Sequence, residues 1–418
     1  MNKIFNKDNN SIWFWFLAII VLTLYNLTPR IDGFDTQFYY LAGERLWNGH
    51  IDCLRTPVYP LLLQLFSVCF GQNEGIVGVT ILQSIVYLIS AASLRNITKY
   101  TIKNHYIQES VAVLYVICVA PGWCNEMMTE SLSISGCVII ADQLCRYISK
   151  PSYRLSISIF ILTLLLVFLR PSFIFLFAIA PIVWIVLWIR KNNCMLQIIS
   201  LTLSLVCVIT FLGYCKAYEK EYGVFSSSIS FICNDIYNLQ RSGAWDTSKI
   251  SNQQAQLFMS NIKDDINYAP TYEAVSANPK CLPSIVNACE ELKTGSEKTL
   301  RMHQFKISAA SFDKHFNASV NTKTPLSAIL FASSLFLSLP LSLFYGIVII
   351  SFSSLVVFFL RKRSIPLIGA VLILFTAAQC VGILLFASEA HERLLLPVYP
   401  IFLVLIGLIL EKIFIIIR

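Results

Sequence analysis

Apolar runs long enough to cross a bilayer recur along almost the whole chain, and that repetition limits its fold more than any other feature. A transmembrane helix needs about 20 consecutive, predominantly apolar residues. Runs of that kind are expected to span at 11–29, 75–94, 106–121, 129–147, 155–169, 172–189, 195–214, 341–360, 365–387 and 394–417. Inside hydrocarbon each backbone N–H and C=O must be satisfied within its own segment, so the spans are predicted to be helices. Only 13% of the residues are charged and 56% are hydrophobic, against about 25% and 45–50% in a soluble domain. Such a chain is too apolar for disorder. The balance also excludes a cytosolic enzyme, a nucleic-acid-binding domain and a secreted disulfide scaffold. The expected fold class is an all-α polytopic membrane protein with about ten transmembrane helices.

The basic residues orient the spans. Lys3 and Lys7 precede the first. Arg95, Lys99 and Lys103 follow the second, and Arg146, Lys150 and Arg154 follow the fourth. Arg190 and Lys191 follow the sixth, Arg361–Arg363 the eighth, and Arg418 the last. All fall on one side, which the positive-inside rule makes cytoplasmic, with both termini. The net charge of +8 is thereby assigned to topology, with no nucleic acid implied. Residues 325–340 are apolar, but an added span there would carry Arg361–Arg363 outside; a re-entrant or interfacial helix is expected instead. The run from Ile12 to Leu27 is too long for a signal-peptide core and reads as a first span. The expected organisation is an N-terminal membrane module 1–214 with a first outer loop at 30–74, an outer segment 215–324 and a C-terminal membrane module 325–418. The 13 cysteines fall mostly in apolar runs, where Cys acts as a small hydrophobe. Cys233, Cys281 and Cys289 share the outer segment, and the sequence leaves any disulfide pairing open.

The first outer loop carries the strongest signal. From Asp35, the residues Phe38, Leu41, Ala42 and Leu46 follow helical spacing, with Gly49 as the stop. This predicts a short amphipathic helix in the membrane interface. A second apolar stretch, Pro57 to Phe70, has its prolines placed for a helix start. Asp32 and Asp35 stand three apart, on one face if the turn is helical, and a partly desolvated carboxylate there is a candidate general base. Tyr39, Tyr40 and Trp47 are candidates for sugar or lipid contact, although interfacial aromatics are common. Asp142, near the inner end of the fourth span, is expected to pair with Arg146.

These residues resemble the first lumenal loop of the class C glycosyltransferases, and more narrowly the bacterial protein O-mannosyltransferase and lipid A aminoarabinose transferase branch. Asp35-Thr-Gln-Phe-Tyr39-Tyr40 and Arg55-Thr-Pro57-Val-Tyr59-Pro60 carry the likeness. Thr129-Glu130-Ser131-Leu132 is similar to that family's second acidic position, Leu169-Arg170-Pro171 to its arginine-proline corner, and Arg393 through Pro397 to Pro400 to its C-terminal membrane element. The likeness covers 11–190 well and 365–417 moderately; 215–324 matches no known pattern. Thr36 stands where the family often has Glu, and Asp32 adds a carboxylate upstream, so either Asp is a candidate base.

The resemblance implies a polyprenyl-phosphate-linked sugar donor, a glycan, lipid or protein acceptor, and an inverting reaction on the extracytoplasmic face. A bacterial inner membrane is the expected setting. Such a transfer needs a base for the acceptor proton and cations for the departing lipid phosphate. The expected catalytic residues are Asp35, its competitor Asp32, and Glu130, with Glu126 on the facing turn. The expected substrate-binding residues are Arg55, Arg170, His391, Arg393, Tyr39 and Tyr59, with Arg30 a further cation. Arginine's planar fork suits phosphate, and Arg170, between two apolar runs, has almost no loop to escape into. A divalent cation held among Asp32, Asp35 and Glu130 is an open expectation; His391 with Glu389 and Glu392 is a weaker one.

Two rival readings remain. A transporter or lipid-sugar flippase would place ionisable groups near the midplane, often on broken helices in repeated halves, whereas here they gather on one face and no repeat is visible. A glycan polymerase or ligase would carry arginines in its large outer loop, and 215–324 holds Arg241 and Arg301 alone. That segment has 12 Lys and Arg against 11 Asp and Glu, so it is nearly neutral. Short helices are expected in it near 251–266 and 284–314, covering the site. Asn317-Ala-Ser is a glycosylation sequon.

Overall fold

A computed structural model of the chain describes residues 9–28, 34–262, 269–316, 319, 324–360, 366–386 and 391–417. Arg30, Asp32, Asn317, Arg361–Arg363, Glu389 and Arg418, all named above, lie outside the described residues.

The fold is all-α. The N-terminal half runs α1 (Asn9–Asn26), α2 (Phe34–Trp47), α3 (Val58–Phe70), α4 (Gln72–Thr101), α5 (His105–Ile117), α6 (Glu130–Ser149), α7 (Tyr153–Leu169), α8 (Leu176–Ile189) and α9 (Cys194–Tyr222). An outer group follows: α10 (Ser230–Ser242), α11 (Gln253–Ser260), α12 (Ala269–Ala277), α13 (Leu282–Lys293) and α14 (Glu297–Ala310). The chain ends with α15 (Pro325–Leu337), α16 (Leu341–Leu360), α17 (Leu367–Phe386), α18 (His391–Leu394) and α19 (Tyr399–Ile417). Among the described residues the β pairing is confined to an isolated bridge, His315 with Pro340.

Each of the ten expected spans falls on a helix. Among the described residues six stretches are long and apolar enough to cross a membrane: Gln72–Thr101, His105–Trp123, Pro171–Ile189, Cys194–Tyr222, Leu367–Leu385 and Leu396–Phe414. The apolar parts of α1, α7 and α16 are shorter, and α6 is polar for a span because it carries Glu130, Asp142 and Arg146. At 1.5 Å per residue, the thirteen residues of α15 reach only about 20 Å, less than the roughly 30 Å hydrocarbon core.

Local sequence sets the breaks. Gly71 at φ +86° supplies the left-handed turn between α3 and α4, and Asn104 caps α5 by accepting from the Tyr106 N–H at 3.0 Å. Pro171 ends α7, and the chain passes through one 3₁₀ turn (Pro171–Phe175) before α8. Glu411 of α19 accepts from the N–H groups of Lys103 and Asn104 at 2.6 and 2.7 Å, joining the last apolar helix to the α4–α5 turn. Asp142, fully buried, lies 2.7 Å from Arg146.

There are two apolar cores. The larger joins the membrane helices. The smaller joins Cys53 and Leu54 of the first outer loop to the end of α9 and to α10, α11 and α13. The Cys53 carbonyl accepts from the Tyr218 hydroxyl (2.9 Å) and from the Ile229 N–H (2.8 Å). α9 therefore runs past the expected boundary at 214 and clamps the loop. Cys53, Cys233 and Cys289 all lie buried in this smaller core.

The two helices expected in the first outer loop form as α2 and α3, and α2 packs inward by a face turned away from Leu41. Leu41 is exposed, and the buried positions are Thr36, Tyr39, Ala42 and Gly43. The reason is close packing on α3: a Cβ at Gly43 would lie 2.6 Å from the Pro60 carbonyl oxygen. A backbone atom cannot move aside as a side-chain tip can. Gly43→Ala is expected to cost about 1–3 kcal/mol by overpacking, read as a lower unfolding temperature in detergent. Gly213→Ala, where a Cβ would meet nothing within 4 Å, should leave that temperature unchanged or slightly raised.

Candidate active site

Five charged side chains from five separated parts of the chain meet at one end of the helix bundle. Asp35 lies in the first turn of α2, Arg55 in the loop before α3, Glu130 at the first position of α6, Arg170 at the α7 corner and Arg393 in α18. They alternate in sign. Arg55 donates from Nη2 to Asp35 Oδ1 in a short contact. Arg393 donates from Nη2 to Asp35 Oδ2 at 3.2 Å and from Nε to Glu130 Oε1 at 2.6 Å. Arg170 Nη1 approaches Glu130 Oε1 at 3.4 Å. Three guanidinium groups against two carboxylates leave one positive charge in excess.

Exposure differs along the row. The Glu130 side chain is fully buried, whereas that of Asp35 is 25% exposed and that of Arg393 34%. Burial alone would raise the Asp35 carboxyl, but Arg55 and then Arg393 outweigh it and hold the group below the ordinary carboxylate range. Against the pull of burial, Tyr39 and Asp35 hold Arg55 firmly charged, and Glu130 and Asp35 do so for Arg393. Three buried polar atoms lack a hydrogen-bond partner: Glu130 Oε2, Arg55 Nε and Arg170 Nη1. Buried polar atoms are rarely left so, and two of these three belong to guanidinium groups.

Other expected residues lie around this row. The Arg55 guanidinium sits 4.5 Å above the Tyr39 ring, a cation–π contact. Tyr39 packs edge-on against Tyr59 at 4.9 Å. Tyr59 is fully buried and donates its hydroxyl to Gln83 at 3.1 Å, so it supports the site from within the core. His391 is buried, with Nδ1 3.4 Å from the Tyr345 hydroxyl. Glu126 is buried too, and its carbonyl accepts from Gln83. Tyr40 is half-buried and Trp47 exposed.

Two residues escaped the sequence reading. Gln83, fully buried in α4, donates to the carbonyls of both Cys124 and Glu126 at 2.9 Å, holding the turn that delivers Glu130. An amide inside an apolar run was its signal. Asp52 accepts from the N–H groups of Leu54 (2.8 Å) and Arg55 (2.7 Å), an Asx turn that shapes the loop carrying Arg55.

Among the described residues no group of three or more His, Cys, Asp or Glu side chains is placed to hold a metal ion. Asp35 gives both oxygens to arginines and Glu130 gives one. A divalent cation at Asp35 or Glu130 would have to displace guanidinium groups already bound there, and Asp32, the third carboxylate expected to hold it, lies outside the described residues.

No protein-family model and no curated protein matches the chain. Solved structures do. An oligosaccharyltransferase from Archaeoglobus fulgidus, in complex with Zn and sulfate, is 12% identical with a TM-score of 0.51, covering 96% of this chain and 49% of that one. The archaeal oligosaccharyltransferase AglB from Archaeoglobus fulgidus, in complex with an inhibitory peptide and a dolichol-phosphate, is 13% identical with a TM-score of 0.50, covering 97% and 50%. The Archaeoglobus fulgidus enzyme tethered to an acceptor peptide containing the NVT sequon is 13% identical with a TM-score of 0.51, covering 96% and 50%. The chain thus spans about half the length of the structures it matches. At such identity the likeness is one of fold alone, an all-helical membrane fold shared with these oligosaccharyltransferases.

Removing Arg393 would leave Glu130 buried with Arg170 alone nearby. Arg393→Ala is expected to destabilise the protein by about 3 kcal/mol, the low end for breaking a buried pair. The exposed pair Lys216–Glu219 is a control, for which Lys216→Ala should cost about 0–1 kcal/mol. Because the folded Asp35 carboxyl lies below its unfolded value, its contribution is present above about pH 4 and is lost as pH falls through the folded value. The unfolding temperature in detergent should be flat near neutrality and fall in acid, with a shallower fall in Asp35→Asn.

Proposed function

We propose that the chain is a membrane glycosyltransferase that moves a sugar from a polyprenyl-phosphate carrier to an acceptor nucleophile on the extracytoplasmic face. The observation that carries this reading is the alternating row of three arginines and two carboxylates, with its excess positive charge, at the end of apolar spans. A lipid phosphate arrives at that depth with its tail in the bilayer. The fold adds support, since a solved protein of the same fold is in complex with a dolichol-phosphate.

The chemistry is a single displacement. Asp35 takes the proton of an acceptor hydroxyl or amine, the acceptor atom bonds to the anomeric carbon from the face opposite the phosphate, and the bond from that carbon to the phosphate oxygen breaks. The electron pair leaves with the phosphate, whose developing charge Arg55, Arg393 and Arg170 hold. In the resting arrangement Asp35 is a weak base, because both its oxygens face arginines. A donor phosphate competes for those guanidinium groups, frees the carboxylate and strengthens it as a base once the donor is in place. Glu130 keeps Arg393 and Arg170 aimed at one point. Asp32 remains the competing base. The narrower assignment to the O-mannosyltransferase and aminoarabinose transferase branch rests on the sequence motifs. So do a hexosyl or pentosyl donor, a role in cell-envelope glycan synthesis, and a bacterial inner membrane with both ends inside.

The test is release of polyprenyl phosphate with labelled product in membranes holding matched amounts of protein. Loss of a general base typically costs about 10²–10⁴-fold in rate, and Asp35→Asn is expected to fall in that range. Retained activity in Asp35→Asn with loss in Asp32→Asn moves the base upstream. A wild type that transfers no sugar from a broad donor panel, yet changes the leaflet of the lipid-linked sugar, overturns the reading in favour of a flippase.

A further inference from the structure

We propose that α14 is a membrane-surface helix, with Met302 and Phe305 set into the outer leaflet and Lys298 and Arg301 against anionic lipid headgroups. None of its residues is fully buried. Its inner side, with Leu300, His303, Gln304 and Ile307, is half-buried, whereas Lys298, Arg301, Met302 and Phe305 are exposed. Their helical spacing puts these four on one face. Met302 is 51% and Phe305 69% exposed, a poor arrangement in water and a good one at a bilayer surface, where aromatics and basic side chains are favoured.

The depth follows from the contacts of α14. Gln304 donates from Nε2 to the Leu384 carbonyl at 3.1 Å. Leu384 lies in the last turn of α17, whose carbonyls have no partner within the helix. Val381 and Leu385, on the same span, are exposed apolar residues. The neighbour of Gln304 is Phe305, so the exposed face continues the apolar surface of α17 at the edge of the hydrocarbon. The chain just past α14 is tied to another apolar helix: the N–H groups of Leu341 and Ser342, at the start of α16, donate to the carbonyls of Lys314 (2.9 Å) and Phe312 (3.0 Å). The basic residues on this face complement lipid phosphates.

The surface helix also reaches the charged row. Lys314 pairs with Glu392 at 3.4 Å, and Phe312 packs on Tyr345 at 5.3 Å, whose hydroxyl meets His391. These contacts end within two residues of Arg393.

The experiment uses the full chain, with Cys69, Cys194 and Cys281 replaced by serine, in vesicles of phosphatidylcholine alone or with an equal part of phosphatidylglycerol. A nitroxide is placed at Met302→Cys or, as control, at the half-turned position Thr299→Cys. The expected result is a several-fold higher ratio of oxygen to nickel-chelate accessibility at position 302 than at 299. Lys298→Glu with Arg301→Glu should lower that ratio in the anionic vesicles and leave it unchanged in phosphatidylcholine. Equal nickel access at both positions overturns the proposal. So does exclusion of both reagents at 302, which would mean a protein cover, and so does a ratio indifferent to the charge reversal. Should the cysteine variants fail to fold, Phe305→Trp in the native chain gives a second readout: quenching by lipids brominated near the headgroup supports the proposal, and no added quenching overturns it. None of these readouts depends on sugar transfer.

Discussion

Arg393 holds two carboxylates at one point, and the arrangement of this end of the helix bundle depends on that bridge. Glu130 begins α6 and is fully buried; an ionised carboxylate there is tolerable only with a partner. Its partner comes from α18, 263 positions along the chain, and the same guanidinium reaches Asp35 on α2. One side chain thus joins the first outer loop, the start of α6 and the final membrane element. Buried pairs contribute little net stability when well made and cost much when broken. Their value here is in specifying geometry: the three elements meet in one arrangement or leave a charge unpaired.

A layer of neutral hydrogen bonds supports the charges. Gln83 ties the turn before Glu130 to Tyr59, Tyr59 carries Tyr39, and Tyr39 carries Arg55. Thr56, beside Arg55, donates to the carbonyl of Leu169, beside Arg170. The two sides of the charged row are therefore linked through the core as well as across the surface. Gly43 belongs to the same support, because the closeness of α2 to α3 sets where Asp35 stands relative to Arg55.

The outer helices serve this region in two ways. Their small core closes over Cys53 and Leu54, so the loop bearing Arg55 is held by α9 and α10 as well as by its own Asx turn. α14 lies against the end of α17, and the residues that follow it meet the start of α16 and pair with α18. Solved proteins of about twice the length share this fold at 12–13% identity, as expected where burial pattern, rather than residue identity, places the helices.

The periodicity and length of the apolar runs made the all-α membrane fold legible, since hydrocarbon admits few other backbones. Charge cost made Arg170 and Arg393 stand out beside apolar runs, whereas Asp35, Arg55 and Glu130 were candidates chiefly through their motifs, in company with Asp32, Arg30 and His391. The order of pairing could not be read. Nor could the inward face of α2, where Leu41 had the apolar character but Gly43 had the room. Gln83 and Asp52 act on backbone groups far from them or hidden in a loop, and such contacts leave only a polar letter in the text. By itself the sequence determined the solvent and the helices, because these follow from local hydrophobicity and the need to satisfy the backbone in hydrocarbon. Tertiary structure alone decided which acid meets which arginine, because that depends on distances between helix ends set by packing across the whole bundle.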